Sequence, residues 1–238
     1  MKPTAAPSPV LITFAVPEEA QSLRALLPDT WPVTVLLTGV GAEAAWRTVS
    51  PALTRIRPGL VLTSGFAGGL KPELRSGDVV YETTGAPGLQ PRLEALGTPV
   101  TFLTVRRVVS TVADKQELRR ATGADAIEME STAIRSLCLE AGVPCATVRV
   151  ISDAANEGLP LDFNRCLTPD GRLIPGRILM ECARHPAAIP ALIRLRSVTR
   201  QAARCLASAL RQVLEAWWAV ASPAAPHDAQ PPIAPPGR

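Results

Sequence analysis

Residues 10–16 read Val10-Leu11-Ile12-Thr13-Phe14-Ala15-Val16, and the run stops at Pro17-Glu18-Glu19. An apolar, β-branched stretch of this length reads as a buried strand, and a proline followed by acidic residues reads as the first turn of a helix. The same unit recurs along the chain. Residues 33–38 form an apolar run before a helix beginning at Ala42, and residues 60–64 form another before the glycine-rich loop Gly65-Phe66-Ala67-Gly68-Gly69. Further strands are predicted at 78–81, 100–105, 124–129 and 146–151, with helices at 115–121 and 131–141. Strand and helix alternating in this way predict an α/β fold: a three-layer α/β/α sandwich around a central, mostly parallel, twisted sheet.

The alternation lasts to about Ser152. Beyond Asp162 the pattern becomes helical, with apolar residues and arginines interleaved from Ile174 to Val220 and breaks expected at Pro186 and Pro190. A chain of 238 residues can bury one sizeable core. The expected organisation is therefore one domain over residues 1–220, its helical C-terminal part covering 172–220, and a disordered Pro/Ala-rich tail over 221–238.

Hydrophobic residues are 47% of the chain and charged residues 19%, which excludes a disordered scaffold. The net charge of +4 suits an anionic partner, but aromatics at 4% leave few stacking positions, so no nucleic-acid partner is expected. Five scattered cysteines without a C-x-x-C pair argue against a disulfide framework or a zinc ribbon, and for a reducing, cytoplasmic setting. Cys182 and His185 have metal-ligand spacing without a second pair, so no metal is expected. Prolines near the N-terminus make a poor signal peptide, and no apolar run approaches the ~20 residues needed to span a bilayer.

In an open α/β sheet, ligands collect beyond the carboxyl ends of the strands. Glu19 follows the first strand, residues 65–69 the third, Glu130 the strand ending at Met129, and Asp153 the strand ending at Ser152. Each carboxylate has an ordinary alternative: Glu18, Glu19 and Glu130 suit helix N-termini, and Asp153 suits an N-cap or Asx turn. Their agreement in sheet position is what places three carboxylates and a glycine segment on one rim.

These stretches resemble the nucleoside phosphorylases and nucleosidases, most closely 5′-methylthioadenosine/S-adenosylhomocysteine nucleosidase and the hopanoid-associated enzymes. The resemblance rests on Ala15-Val16-Pro17-Glu18-Glu19, Thr38-Gly39-Val40-Gly41, residues 63–70 (TSGFAGGL), Gly77-Asp78-Val79-Val80, Ile127-Glu128-Met129-Glu130-Ser131 and Val148-Arg149-Val150-Ile151-Ser152-Asp153. The segments 169–172 and 191–195 resemble the hopanoid-associated branch. The family fold agrees with the predicted sandwich.

The resemblance implies a purine nucleoside as substrate, water or phosphate as the acceptor, and no cofactor. It makes Glu19 and Asp153 catalytic. Glu19 orients and deprotonates the attacking water, Ser152 binds substrate, and Asp153 beside it assists protonation of the departing base. That role requires a protonated carboxyl, which burial beside the base favours. Glu130 binds the ribose hydroxyls, Met129 packs on the sugar, and Gly41, Gly65, Phe66 and Ala67 approach the sugar and nucleophile. The resemblance further implies a homodimer.

An extra carboxylate repels a phosphate dianion, and Phe66 stands where related enzymes commonly place a serine, which favours hydrolysis; Ser64 and Thr38 keep phosphorolysis open. The basic, apolar stretch 174–220 with Trp217-Trp218 has two readings: a helix packed on the core with a solvated basic face, or a peripheral contact with the inner membrane suited to a lipid-linked nucleoside such as adenosylhopane. A rival enzyme class comes from Gly39-Val40-Gly41-Ala42-Glu43-Ala44, which matches the dinucleotide fingerprint G-x-G-x-x-A. The acidic ribose anchor after the next strand is absent, since Thr63-Ser64-Gly65 stands there. A non-catalytic nucleoside- or lipid-binding protein is the remaining alternative.

Overall fold

The computed structural model describes residues 8–221 other than 85, 87 and 169, with side chains omitted at 84, 220 and 221. Most of the tail expected to be disordered, from residue 222 on, and Pro169 of the segment resembling the hopanoid-associated branch lie outside the described residues.

Among the described residues eight strands form one mixed sheet: β1 (Val10–Phe14), β2 (Val33–Leu37), β3 (Leu60–Gly69), β4 (Val79–Thr84), β5 (Thr98–Pro99), β6 (Phe102–Thr104), β7 (Ala126–Glu128) and β8 (Cys145–Asp153). The main order is β2-β1-β3-β8-β4-β5, with β7 beside the far end of β3 and β6 beside β7. Pairing is parallel except between β4 and β8 and between β3 and β7, so the expected mostly parallel sheet is observed. Among the described residues there are seven α-helices, α1 (Pro17–Arg24), α2 (Ala42–Ile56), α3 (Gln90–Leu96), α4 (Val112–Thr122), α5 (Ser131–Glu140), α6 (Pro175–Arg184) and α7 (Ile189–Ala221), of which α1, α2, α3, α5 and α7 pack on the sheet.

Side chains alternate across a strand, and the two faces of β1 show where the layers lie. Val10, Ile12 and Phe14 join Ala20 and Leu23 of α1, Leu93 of α3 and Leu206, Leu210 and Leu214 of α7 in one buried cluster. Leu11 faces the other way, onto Val49 and Leu53 of α2 and Ile134 and Leu137 of α5. This is the three-layer sandwich.

One feature of the sheet differs from expectation and makes the site. The glycine segment 65–69 is not a loop: β3 runs through it to Gly69, with a register shift against β8 between Ala67 and Gly68. Two partners hold it extended. Residues 61–68 pair with β8, and on the opposite edge Leu60–Thr63 pair with β1 while Gly68 and Gly69 pair with β7. Between those two neighbours, at residues 64–67, that edge of β3 is free to face a cavity.

The helical region also differs in detail. Pro186 does separate α6 from α7, but Pro190 breaks nothing; it is the second residue of α7, where proline's missing N–H costs no helical bond.

Candidate active site

Glu19 lies in the first turn of α1, whose entry is set by Pro17. Its Oε2 accepts from the amides of Ala15 (2.9 Å) and Val16 (3.2 Å), closing the helix N-terminus, while Oε1 accepts from the Phe66 amide on β3 (2.8 Å). One carboxyl thus both closes the helix N-terminus and lines a cavity. Burial pushes its pKa up to about 7, against the opposing charge of Arg149 and the Phe66 hydrogen bond.

Gly65 makes this approach possible. With φ at +137°, it sits so near that a Cβ there would fall 2.6 Å from Glu19 Oε1 and 2.9 Å from Arg149 Nη1.

Arg149 was not singled out in the sequence, although it lies inside a quoted stretch. It is fully buried in β8, and its Nη2 reaches Glu128 Oε2 at 2.7 Å and Glu130 Oε2 at 3.1 Å. Nη1 donates to the Phe66 carbonyl at 3.3 Å. Burial alone would lower the Arg149 pKa; the carboxylates of Glu128, Glu130 and Glu19 reverse that and raise it. A guanidinium in the middle of the apolar strand Ala146-Thr147-Val148-Arg149-Val150 is the signal that could have found it, since an unpaired buried charge is too costly to keep.

Glu130 is the N-cap residue of α5, yet its side chain does not cap that helix. It crosses to α2 instead, where Oε1 accepts from the Gly41 amide at 2.9 Å. Burial raises its pKa, opposed by Arg149. Glu128 takes over at the start of α5, accepting from the amides of Glu130 (2.9 Å) and Ser131 (2.7 Å) and from Ser131 Oγ (2.8 Å), with Thr104 Oγ1 as a further donor.

The dinucleotide reading fails on the same geometry. The Gly41 amide is given to Glu130, and the Val40 amide to the Gly171 carbonyl at 2.8 Å. Two amides that would face a pyrophosphate are already engaged.

Asp153 ends β8. Ser152 Oγ contacts its Oδ1, and the buried ammonium of Lys115, from α4, contacts its Oδ2. Nothing in the sequence placed a cation at Asp153.

These groups meet at a cavity of about 250 Å³. Glu19, Phe66, Ala67, Met129, Glu130, Ser152 and Asp153 line it, together with Glu128 and Arg149. Gly41 and Gly65 are not in its wall; they act from behind, through Glu130 and Glu19. The rest is apolar apart from Thr199, with Val105, Val108, Phe163, Leu167, Leu173 and Leu195 coming from segments given no place in the site by the sequence. A largely apolar cleft with a few convergent polar groups is the usual form of a small-molecule site. Among the described residues no three His, Cys, Asp or Glu side chains cluster as metal ligands.

The fold and this rim define the class. The family model described as the phosphorylase superfamily matches residues 13–84 and 92–166, and the chain belongs to that family. Among curated proteins it is 27% identical over 170 residues to a 5′-methylthioadenosine/S-adenosylhomocysteine nucleosidase of Exiguobacterium sp., covering 57% of this chain and 73% of the relative. Among solved structures it is similar to futalosine hydrolase of Helicobacter pylori, with a TM-score of 0.65 at 16% identity over 87% of this chain and 97% of the other. It is similar also to the 5′-methylthioadenosine/S-adenosylhomocysteine nucleosidase of Neisseria meningitidis in complex with methylthio-immucillin-A, with a TM-score of 0.66 at 16% identity over 87% and 99%. At these identities the structural likeness is one of fold.

Proposed function

We propose that the protein is a nucleosidase that hydrolyses the N-glycosidic bond of a purine nucleoside of the adenosyl type. The observation that carries this is Glu19: a carboxyl fixed by three backbone amides, facing the cavity beside one guanidinium that Glu128 and Glu130 already neutralise. Such a place suits a water molecule to be deprotonated, and it repels a phosphate dianion. The curated relative is a nucleosidase by name, which supports the same reading.

In this reading Glu19 takes a proton from water as its oxygen attacks C1′. Glu130, held on the Gly41 amide and Arg149, binds the ribose hydroxyls and opposes the positive charge that grows on the sugar. Met129 packs on the sugar, and Phe66, Ala67 and Gly68 form the adjoining wall. Asp153 with Ser152 assists protonation of the base as it leaves.

The apolar part of the cavity, from Phe163, Leu167, Leu173 and Leu195, suits an apolar group on the ribose, from a methylthio group to a lipid tail. Exposed Leu179, Met180, Ile189 and Ile193 on α6 and the start of α7, interleaved with Arg177, Arg184, Arg194 and Arg196, support a peripheral contact with an anionic membrane for the lipid-linked case. We take one domain over residues 1–220 and a homodimer as the working form of the protein.

The test is release of free base from methylthioadenosine, adenosine, inosine and a lipophilic adenosyl compound, each with and without phosphate. Release without phosphate is expected, from the adenosyl compounds before inosine. Release only with phosphate makes the protein a phosphorylase, and no release from any of them returns the binding-protein reading.

A further inference from the structure

Lys115 is the one wholly buried lysine among the described residues, on a helix whose other buried surface is slight. Its ammonium reaches only the end of β8 and the turn after it. Nζ contacts Asp153 Oδ2, donates to the carbonyls of Ala154 (2.7 Å) and Glu157 (2.9 Å), and lies 3.4 Å from the carbonyl of Asp153. The nearby Glu157 carboxylate is turned away, onto the Ala154 amide at 2.9 Å and Ser76 Oγ at 2.8 Å. Glu128 and Glu130 are engaged by Arg149 elsewhere in the cavity wall. Among the described residues Asp153 is the one carboxylate in ion-pair contact with Lys115. A buried ammonium is costly unless paired, so in the free protein this lysine is held by the Asp153 carboxylate and those carbonyls.

We propose that Lys115 is a positioning residue for departure of the base, acting through Asp153: it fixes Oδ2 and stabilises the carboxylate that forms there as the base is protonated. The inference rests on the role given to Asp153 in the proposed function. As the C1′–N9 bond breaks, its electron pair passes to the purine and a proton moves from Asp153 to N7. The carboxylate left behind lies against Lys115 Nζ and Ser152 Oγ. The attacking water bonds C1′ and gives a proton to Glu19, and exchange with solvent returns a proton to Asp153, so the protons balance over the cycle. In the substrate complex of the proposed reaction Asp153 has taken up the proton and Lys115 rests on the carbonyls of Ala154 and Glu157; the cation then favours the transition state, because the charge on Asp153 returns beside it as the proton leaves.

A lysine that merely staples the 153–157 turn would support every substrate alike, and the leaving group separates the two cases. A purine needs a proton to depart, whereas p-nitrophenolate leaves from a ribosyl p-nitrophenyl ether as the anion. Wild type, Lys115→Met, Lys115→Arg and Asp153→Asn are compared on an adenine nucleoside and on the p-nitrophenyl riboside with the same 5′ group. Lys115→Met is expected to lower kcat for the nucleoside about 100-fold and for the nitrophenyl riboside by no more than about threefold, and Asp153→Asn is expected to give the same split.

Equal losses on both substrates in Lys115→Met, with the split kept in Asp153→Asn, overturn the proposal and leave Lys115 a structural clamp. Equal losses in Asp153→Asn remove the role of Asp153 itself, a failure of the underlying functional reading that takes the proposal with it. Should Lys115→Met not fold, Lys115→Arg decides: it keeps the charge on a broader group, so the split must persist at smaller size, and equal losses overturn the proposal.

Discussion

At the scale of single residues, the proposed mechanism makes the charge state of Glu19 govern both activity and stability. With its carboxylate as the proposed base, a pKa of about 7 predicts that kcat/KM for the nucleoside falls as pH drops through 7, with Glu19→Gln roughly 100- to 10,000-fold slower and without that limb. The sign for stability is opposite to that of an ordinary paired carboxylate. The folded value lies above the ordinary 4.5, so between pH 4.5 and about 7 the native state holds more proton than the unfolded chain. Stability contributed by Glu19 is therefore present below that window and lost as pH rises through it, and Glu19→Gln should flatten the dependence of Tm on pH there. Gly65→Ala tests the fit behind the same carboxyl. A methyl 2.6 Å from Oε1, on a residue at φ +137°, should cost about 1–3 kcal/mol in chemical unfolding and lower kcat by displacing Glu19. Glu19, Glu130 and Asp153 were legible because each carboxylate stands just after an apolar run. Arg149 was readable in principle as a charge inside such a run. Lys115 was not, because α4 reads as polar nearly all round (Val112-Ala113-Asp114-Lys115-Gln116-Glu117), and which of its polar residues turns inward depends on where the end of β8 comes to lie.

Among the elements, those set by local pattern were legible and those set by a neighbour were not. The strand–helix alternation through β1, α1, β2 and α2 follows from apolar runs and their punctuation. The extension of β3 through Gly65–Gly69 follows from pairing with β7 and β8, which no local reading of five glycine-rich residues contains. The run 100–105, expected as one strand, is shorter: β5 ends at Pro99, β6 starts at Phe102, and the Thr101 amide between them is taken by Asp125 Oδ2 at 3.0 Å. Helix α3 was missed because Gln90-Pro91-Arg92-Leu93 is too short to show a period, and its one deeply buried residue, Leu93, is fixed by the core beneath it. Residues 167, 168 and 170–173 are likewise placed by contact. Leu167 and Leu173 pair as a β-bridge, and Gly171, at φ +77°, lies so close to the Val40 loop that a Cβ would fall 2.0 Å from the Val40 carbonyl. Gly171→Ala should lift this segment from the cavity, raising KM more than it lowers kcat, because Leu167 and Leu173 line the apolar part of the site and the carboxylates do not depend on them. A steady-state comparison of the two constants checks it, and an unchanged KM removes the segment from substrate binding.

For the molecule as a whole, α7 joins two surfaces of different character. Its second half is core: Ala202, Ala203, Leu206, Ala207, Leu210, Val213 and Leu214 are buried, most of them in the cluster with β1, β3 and β8. Trp218 continues this face, meeting the Trp31 ring edge-on at a centroid distance of 5.0 Å and donating from Nε1 to the Ser8 carbonyl at 3.3 Å. The tryptophan pair that suggested an interfacial helix therefore packs on the protein. The first half, with Ile189 and Ile193 exposed, packs little, and among the described residues no helix is long and apolar enough to cross a membrane. Leu210→Ala removes a fully buried side chain and should cost about 2–5 kcal/mol in chemical unfolding, whereas Ile193→Ala should change stability by less than about 0.5 kcal/mol. Binding to vesicles of anionic lipid should respond in the reverse order: weakened by Ile193→Ala, and unaffected by Leu210→Ala under conditions where that variant is folded. The pair separates the two jobs because each substitution removes apolar surface from only one of them. Loss of stability in both variants would mean that the start of α7 is covered by another part of the protein, a second subunit included. Unchanged vesicle binding in Ile193→Ala would leave its exposed apolar residues without a membrane role, and the apolar substituent would then be read by the cavity alone.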